Sequence, residues 1–349
     1  MPERASPVPG IEQEPVGAWL RAHLPGVAAD ATFSYARIGD GRSNLTFRVQ
    51  DDAGGRWVLR RPPLGERLRG AHDMAREHRL LAALHPAGVR VPRPLGLCQD
   101  EAVTGAPFYV MELADGAVVA DRSDLGALPA AHRATTSRSL AEELAALHAV
   151  DVDAIGLGDL ARRDDYAARQ VRGWWRQWEA SRTRDVPAVD RLRDRLAAAA
   201  PAQDRLALVH GDYKLENVVL HGDGTVQAIL DWELCTLGEP LADLGTMLAY
   251  WSRPDDDPAW ALSGEDAPTR AEGFLDREAL VAAYAAASGA DLTRLPYYEA
   301  LAAWRLAIIV QGVVQRFRDN PANANVPPEE LDPKIDALAA RGEALLDAA

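Results

Sequence analysis

Three polar side chains near the middle of the chain have the residue types and the spacing of a phosphoryl-transfer site. Asp212 lies in the segment His210–Asn217, Asn217 follows it by five residues, and Asp231 comes fourteen residues later. Transfer of a γ-phosphoryl group requires a carboxylate beside the attacking hydroxyl and oxygen ligands for Mg²⁺. We therefore predict that Asp212 is the catalytic base and that Asn217 and Asp231 bind the metal.

The segment between Asn217 and Asp231 predicts a β-hairpin. Two short apolar runs, residues 218–220 and 225–230, flank a His-Gly-Asp-Gly sequence, and Asp-Gly is a common hairpin turn. The hairpin would return Asp231 to the side of Asn217, so that both ligands share one ion. Asp223, within the turn, is predicted to be a turn residue. Taken singly, His-Gly-Asp and Asp-Trp-Glu also fit a polar turn and a strand end, but their joint spacing favours a kinase-type site.

Lysine is nearly absent, which changes the expected phosphate-binding residue. Lys214 and Lys334 are the only lysines among the 38 Lys and Arg residues, so the first half of the chain lacks the lysine that kinases place on their third strand. Arg60 ends the predicted third strand, residues 56–60, and its guanidinium can bind phosphate oxygens in a bidentate manner. Glu77, on the helix that follows, is predicted to orient Arg60, with a solvated glutamate as the alternative.

A turn rich in small polar residues is a candidate for the loop that covers the phosphates. Glycine lets the backbone approach phosphate oxygens closely, and backbone N–H groups can then bind them. An ordinary turn is the alternative. The nucleotide-binding residues predicted here are Gly39, Gly41, Ser43 and Asn44. Because the sequence contains no G-x-x-x-x-G-K-[ST] motif, a P-loop kinase is disfavoured.

An apolar segment over residues 108–113 predicts the strand that leads to the junction of two lobes. The chain then enters a polar loop, Ala-Asp-Gly, where backbone groups are free to bind the edge of adenine. The positions predicted to do so are Met111, Glu112 and Leu113.

Beyond this junction the apolar spacing is typical of buried helices. His148 is predicted to be a structural, hydrogen-bonding histidine. Trp174 and Trp178 share one helix face and are predicted to be core residues, which makes Trp175 the better candidate for the wall of a pocket. The run Asp255–Asp257 is predicted to be solvated, with contact to a cationic substrate as the alternative.

Composition indicates a globular enzyme and restricts its partners. The chain has 349 residues, 48% of them hydrophobic, a net charge of -14 and a pI of about 5.1. An acidic surface disfavours nucleic acid and anionic membranes as partners. Cys98 and Cys235 have no disulfide or metal-ligand spacing, which fits a reducing compartment. We expect no secretion signal and no bilayer-spanning segment, and hence a cytoplasmic protein.

The chain resembles the aminoglycoside phosphotransferase and choline kinase-like superfamily. Closest in appearance is the branch that includes the phosphotransferase domains fused to some acyl-CoA dehydrogenases. The resemblance covers about residues 38–316. The motifs that carry it are Gly41-Arg42-Ser43-Asn44-Leu45-Thr46, Val58-Leu59-Arg60-Arg61-Pro62, Arg76-Glu77, Leu147-His148-Ala149-Val150-Asp151, the segment from Arg169-Gln170 to Trp174, His210–Asn217, Asp231-Trp232-Glu233 and Asp243-Leu244-Gly245.

The resemblance implies an α+β, two-lobed, protein-kinase-like fold with a cleft for ATP or GTP. A leader and helix (1–30) would precede a small β-rich N-terminal lobe (31–113) and a larger, mainly helical C-terminal lobe (114–349). Asp243 would be a structural anchor for the catalytic loop. Arg60 departs from the lysine of many relatives but matches the branch named above.

The sequence therefore predicts a Mg²⁺-dependent kinase that phosphorylates a hydroxyl of a small molecule, with Lys214 neutralising the γ-phosphate. The rivals are a nucleotide-binding regulatory protein without turnover, suggested by Arg60, and a protein kinase, which lacks support because D-F-G and A-P-E sequences are missing. The acceptor stays open among aminoglycosides, amino alcohols, sugars and hydroxyacyl thioesters. The fused-dehydrogenase branch favours the last, and the net charge favours a cation. The role of Glu233 and the oligomeric state also stay open.

Overall fold

The computed structural model describes residues 8–39, 44–65, 73–260, 264–321, 324 and 326–348. The chain divides into two compact units. The N-terminal unit comprises Met1–Asp115 and Ala228–Glu233, and the C-terminal unit comprises Gly116–Gln227 and Leu234–Ala349. Asp231 and Glu233 therefore belong to the N-terminal unit, although the residues on both sides of this short segment belong to the C-terminal unit.

The N-terminal unit is built on one antiparallel sheet of five strands in the order β1-β2-β3-β5-β4. Burial along β2 alternates between buried and more exposed positions, as expected for a strand with one face on a core. Phe47, Val49 and Leu59 of the sheet pack with Val16 and Leu20 of the leading helix. The elements are α1 (Gln13–His23), β1 (Phe33–Arg37), β2 (Leu45–Asp51), β3 (Arg56–Arg61), α2 (Met74–Leu84), β4 (Pro94–Cys98) and β5 (Phe108–Glu112).

The C-terminal unit is mainly helical. Two short sheets accompany its helices: β6 pairs with β9, and β7 pairs with β8. The elements are α3 (Ala130–His148), α4 (Tyr166–Ser181), α5 (Pro187–Ala198), β6 (Ala207–Val209), β7 (Val218–Leu220), β8 (Val226–Ile229), β9 (Thr236–Gly238), α6 (Leu241–Tyr250), α7 (Arg277–Ser288), α8 (Leu295–Asp319) and α9 (Asp332–Asp347). The last two residues of β8 belong to the N-terminal unit. The α+β class predicted from the sequence, with a small β-rich part and a larger helical part, is confirmed.

Helix α8 is the central helix of the C-terminal unit. By length and composition alone it could cross a membrane, but 72% of its most apolar window is buried inside the protein. A helix that is apolar on most of its faces must be covered on most of its faces, and α4, α6 and α9 cover it. Helix α8 therefore fixes the positions of α4 and α6, which carry much of the candidate site.

The predicted hairpin forms, and Asp223 is its turn residue. The backbone N–H of His221 donates to the Thr225 carbonyl at 2.8 Å. The Asp223 carboxylate accepts hydrogen bonds from the backbone N–H and the hydroxyl of Thr225 at 2.9 and 2.7 Å. The side chain thus closes the turn locally, as aspartate commonly does.

The solvated charge run predicted at Asp255–Asp257 is wrong for its central residue. Asp255 and Asp257 are exposed, whereas Asp256 is buried and forms an ion pair with Arg277. Asp256 also accepts the backbone N–H of Arg253 at 2.7 Å. Burial alone would raise the pKa of Asp256, but the hydrogen bonds from Arg277 and Arg253 lower it. Asp256 is buried because Arg277, at the start of α7, forms an ion pair with it.

The contact between α6 and α8 predicts opposite effects for one substitution at two helical glycines. In Gly245→Ala the new methyl group would lie 2.7 Å from the backbone of Tyr298. Overpacking costs about 1–3 kcal/mol and exceeds the gain of about 0.5–1 kcal/mol from replacing a helical glycine, so the free energy of unfolding should fall by about 1–2 kcal/mol. Gly173→Ala, in α4, meets no atom within 4 Å and should be neutral or stabilising. Urea unfolding of both variants measures this, and equal effects would contradict the packing argument.

Candidate active site

The loop between β6 and β7 brings together three of the predicted site residues in the C-terminal unit. Asn217 donates through Nδ2 to the Asp212 carbonyl at 2.8 Å and to Asp212 Oδ2 at 2.9 Å. Lys214 Nζ lies 3.3 Å from the same Oδ2. Among the described residues, Asp212 Oδ1 has no hydrogen-bond partner. One carboxylate oxygen is thus fixed, and the other is left to accept a proton.

The turn that presents Asp212 requires a glycine before it. Gly211 has a φ of 85°, which side-chain-bearing residues rarely adopt, and a Cβ there would lie 2.7 Å from the Leu234 carbonyl oxygen. The Asp212 side chain is 18% exposed, so solvent or a ligand can reach it. The His-Gly-Asp sequence therefore encodes a tight turn with an accessible carboxylate at its end.

Lys214 is held in a pocket of negative charge and aromatic surface. Its ammonium group contacts Asp212 and Glu216 and lies 4.4 Å from the centre of the Tyr250 ring. Burial alone would lower the pKa of Lys214, but Tyr250, Asp212 and Glu216 together raise it. The ammonium group therefore stays charged, as binding to a phosphate would require.

Asp243, in α6, anchors the loop that carries Asp212. Its fully buried carboxylate accepts the backbone N–H groups of His210 and Gly211 at 2.6 and 2.8 Å. His148 Nε2 lies 3.3 Å from Asp243 Oδ2, and His148 Nδ1 lies 2.8 Å from the Tyr284 hydroxyl. Burial alone would raise the pKa of Asp243, but His148, the nearby His210 and the backbone N–H of Gly211 lower it below its usual value. The anchoring role implied for Asp243 and the structural role predicted for His148 are both confirmed.

In the N-terminal unit, Arg60 is the centre of an ionic cluster. Arg60 Nε lies 3.0 Å from Glu77 Oε2, its Nη2 contacts Asp231, and Glu233 lies 4.0 Å away. The Tyr109 hydroxyl donates to Glu77 Oε2 at 3.1 Å. The predicted pairing of Arg60 with Glu77 is confirmed, and Glu77 is buried, not solvated.

Asn44 links two carboxylates of this cluster. Its Nδ2 donates to Glu77 and to Glu233, each at 3.1 Å. Glu233 is thus tied to the sheet by Asn44. Burial raises the pKa of Glu77, although Arg60 and Tyr109 lower it. For Arg60, burial would lower the pKa, but Glu77 and the other carboxylates raise it.

Asp231 and Asn217 offer the donor types that Mg²⁺ prefers. Asp231 has a φ of 63° and a side chain that is 33% exposed. A left-handed conformation at a residue other than glycine costs energy and is often found at ligand-binding positions. Because Asn217 donates both contacts through Nδ2, its Oδ1 remains free of hydrogen bonds within the described residues. A free amide oxygen and an accessible carboxylate fit a hard cation. That the two share one ion stays a prediction.

The other predicted nucleotide-binding residues have different outcomes. Gly41 and Ser43 lie outside the described residues, whereas Gly39 has a φ of 71°. Met111 and Glu112 belong to β5, and the Glu112 N–H donates to the Arg93 carbonyl at 2.9 Å. Leu113, just beyond the strand, makes no backbone hydrogen bond within the part of the chain described. Its N–H and C=O therefore remain available to a ligand.

A small cavity lies beside the loop that carries Asp212 in the C-terminal unit. It encloses about 20 Å³, and its lining includes Gly211 of the loop, Asp243 and Thr246 of α6, and Arg305 of α8. Space of roughly 10–15 Å³ by this measure accommodates one water molecule, so the cavity has room for a small polar group. Other lining side chains are Tyr166, Gln170, Trp174 and Tyr298.

Trp174, not Trp175, lines this cavity, so a role of Trp175 in a pocket wall stays a prediction. Trp178 is buried, as predicted. Trp174 donates through Nε1 to Gln170 at 3.2 Å and stacks with Arg305, whereas Trp175 stacks with Arg193. Arg305 of α8 also contacts this cavity and was not among the residues predicted from the sequence. Its position in an apolar helix, where a charge is costly, was the available signal.

Comparison with known proteins places this geometry in a wider context. A model of the family described as "Phosphotransferase enzyme family" matches residues 34–304, which is most of the chain. The chain is 37% identical over 306 residues to acyl-CoA dehydrogenase family member 11 of Rattus norvegicus. That match covers 86% of this chain but only 39% of the rat protein, so the chain spans about two fifths of that relative's length.

Two solved structures share the fold over nearly the whole chain. A candidate aminoglycoside phosphotransferase from Ralstonia eutropha has a TM-score of 0.80 and 32% identity, with 96% of this chain and 98% of that chain covered. A thermostable mutant of aminoglycoside phosphotransferase APH(4)-Ia, in complex with AMP-PNP and hygromycin B, has a TM-score of 0.58 and 18% identity. The second match covers 92% of this chain and 95% of the other, and it concerns the fold alone.

Replacing the loop anchor tests its contribution to stability and the sign of its pH dependence. Asp243→Asn keeps the size of the side chain but removes the buried charge, so the free energy of unfolding near neutral pH should fall by on the order of 3–5 kcal/mol. The lowered pKa means that the charged form stabilises the fold above about pH 4 and that this stabilisation disappears as the pH falls through the folded-state pKa. The difference between wild type and variant should therefore shrink in acid.

Urea unfolding at neutral pH and below about pH 4 measures both effects. Asp255→Asn, at a carboxylate that is 78% exposed, is the control and should change stability little. A difference between wild type and Asp243→Asn that persists unchanged in acid would contradict this account.

Proposed function

The chain belongs to the phosphotransferase enzyme family, and we propose that it transfers the γ-phosphoryl group of ATP or GTP to a hydroxyl group of a small molecule. The observation that carries the proposal is the geometry of Asp212. Asn217 and Lys214 both contact its Oδ2, while Oδ1 lacks a partner among the described residues. This arrangement suits a base that receives the proton of the attacking hydroxyl.

The proposed reaction assigns each step to a residue of this chain. Asp212 Oδ1 accepts the hydroxyl proton as the oxygen of the acceptor bonds to the γ-phosphorus, and the bond to the β-phosphate oxygen breaks. Lys214 and Arg60 are cations and neutralise phosphate oxygens. Carboxylates hold both side chains in place before the phosphates bind. Asn217 and Asp231 would hold Mg²⁺, which supplies charge neutralisation across the β- and γ-phosphates.

The arginine in place of the usual lysine is compatible with nucleotide binding. Arg60 keeps the pairing with Glu77 that orients such a residue, and its planar guanidinium suits bidentate binding of phosphate oxygens. Leu113 is proposed to bind the adenine edge through its backbone. A nucleotide-binding protein without turnover would need neither a free Oδ1 on Asp212 nor Lys214 beside it.

Asp212→Asn is expected to reduce phosphoryl transfer by about 10²–10⁴-fold, because the amide cannot accept the proton. Nucleotide binding should be retained. The measurement is the rate of formation of phosphorylated product from Mg²⁺-ATP or Mg²⁺-GTP and a panel of hydroxyl compounds, followed by mass spectrometry. Asp223→Asn, in the exposed turn nearby, is the control and should keep full activity. An Asp212→Asn variant with wild-type rates would remove Asp212 from its role, and a wild-type protein that phosphorylates no acceptor would remove the proposed function.

Lys214→Ala is expected to lower kcat by about 10²–10³-fold, which is the usual cost of losing one group that stabilises transition-state charge. The nucleotide KM should change less, because the proposed contact strengthens as charge moves to the transferring oxygens. Lys334→Ala removes the only other lysine and is the matched control. Steady-state kinetics of both variants measure the effect. Equal rates for the two variants would show that Lys214 has no part in transfer.

A further inference from the structure

Arg305, in α8, forms no ion pair with a carboxylate of the described residues. Its Nε is buried and has no hydrogen-bond partner within the described residues. Its guanidinium lies 4.9 Å from the centre of the Trp174 ring, which covers one face of the ion without neutralising it. In the same unit, by contrast, the charge of Arg277 is balanced by an ion pair with Asp256. An arginine that is partly buried and lacks an anion indicates a missing partner.

The only carboxylate that lines the cavity in the described structure cannot serve as that partner. Asp243 already accepts two backbone N–H groups and contacts His148. Arg305 and Lys214 lower the pKa of Tyr250, whereas burial, the largest effect, and the carboxylates of Asp212 and Glu216 raise it, to about 12. Within the described residues, no carboxylate of the cavity lining forms an ion pair with Arg305.

Two further hydrogen-bond donors line the cavity. The Tyr298 side chain is 1% exposed, and its buried hydroxyl has no hydrogen-bond partner within the part of the chain that the structure describes. Gln170 uses its amide oxygen to accept from Trp174, which leaves its amide N–H groups as donors. A guanidinium, a hydroxyl and an amide around one small space form a set that binds an oxyanion.

We propose that Arg305, with Tyr298 and Gln170, binds an oxyanion of the phosphate acceptor, so that the acceptor is a hydroxy compound that also carries a carboxylate or a phosphate monoester. That the bound compound is a phosphate acceptor rests on the proposed function. Binding of an oxyanion at this site does not require turnover. Its place beside Gly211 puts the bound anion next to the loop that presents Asp212. A cationic acceptor in the same space would be repelled by the positive charge of Arg305.

The selectivity of binding tests the proposal directly, without nucleotide. Hydroxybutanoate and glycerol phosphate are the oxyanion probes, and butanediol, glycerol and aminobutanol are the neutral and cationic counterparts of similar size. Calorimetric titration of the full chain should give tighter binding of at least one oxyanion probe than of its neutral counterpart, and weaker binding of aminobutanol. The comparison of the two oxyanions distinguishes a carboxylate from a phosphate. No preference for either oxyanion overturns the proposal.

Substitution of Arg305 tests the residue. Arg305→Gln should weaken oxyanion binding by about tenfold to hundredfold, the usual range for losing hydrogen bonds to a charged group. Arg305→Lys should restore part of the affinity, since it keeps the charge but not the planar fork. Arg193→Gln is the matched control, because Arg193 also stacks on a tryptophan, Trp175, yet does not line the cavity. Equal affinities of wild type and Arg305→Gln for the oxyanions overturn the assignment.

The same panel separates this inference from the proposed function. Phosphorylation of aminobutanol in preference to both oxyanions would overturn the role of Arg305 and leave the kinase activity standing. Binding of an oxyanion that depends on Arg305, without phosphorylation of any compound by ATP or GTP, would leave the oxyanion site standing and remove the kinase activity.

Discussion

The buried carboxylate of Asp243 is the interaction on which the arrangement of the C-terminal unit depends. It joins α6 to the backbone of the loop that carries Asp212, to His148 at the end of α3 and, through His148, to Tyr284 of α7. Three polar contacts to the Asp243 carboxylate compensate its desolvation, and a fourth, between His148 and Tyr284, orients the imidazole that makes one of them. The position of Gly211, and hence of Asp212, follows from this network.

The cations of the candidate site are held in place in two different ways. Against a net charge of -14, Arg60 lies among three carboxylates and Lys214 lies beside Asp212 and Glu216. These carboxylates hold the cations in place and keep them charged despite burial. Arg305 is held differently, by the ring of Trp174, and its charge is not offset by a carboxylate of the described structure. Where a cation is to meet an anionic ligand, an aromatic ring can position it without competing for it.

Two features of the structure lie beyond what the spacing within one element can predict. Helical spacing correctly separated Trp174 and Trp178 from Trp175, but it could not decide which face meets a cavity and which meets Arg193. Likewise, nothing in the run Asp255–Asp257 shows that Arg277 will reach its central residue. Both outcomes depend on side chains distant in sequence, and periodicity within one element contains no information about its neighbours.

The fold class, the strands β1 to β3, the hairpin turn at Asp223, the loop of Asp212, Lys214 and Asn217, and the pairing of Arg60 with Glu77 could all be predicted from the amino-acid sequence. These features depend on local geometry, such as the glycine before Asp212, or on a motif whose chemistry demands fixed residue types. The folded chain was needed to show that Asn44 bridges Glu77 and Glu233, and that Arg305 and Tyr298 of α8 border the same cavity as Gly211. These polar groups meet because apolar helices pack against one another. The energy of that packing depends on side chains from several distant segments, so no single segment predicts it.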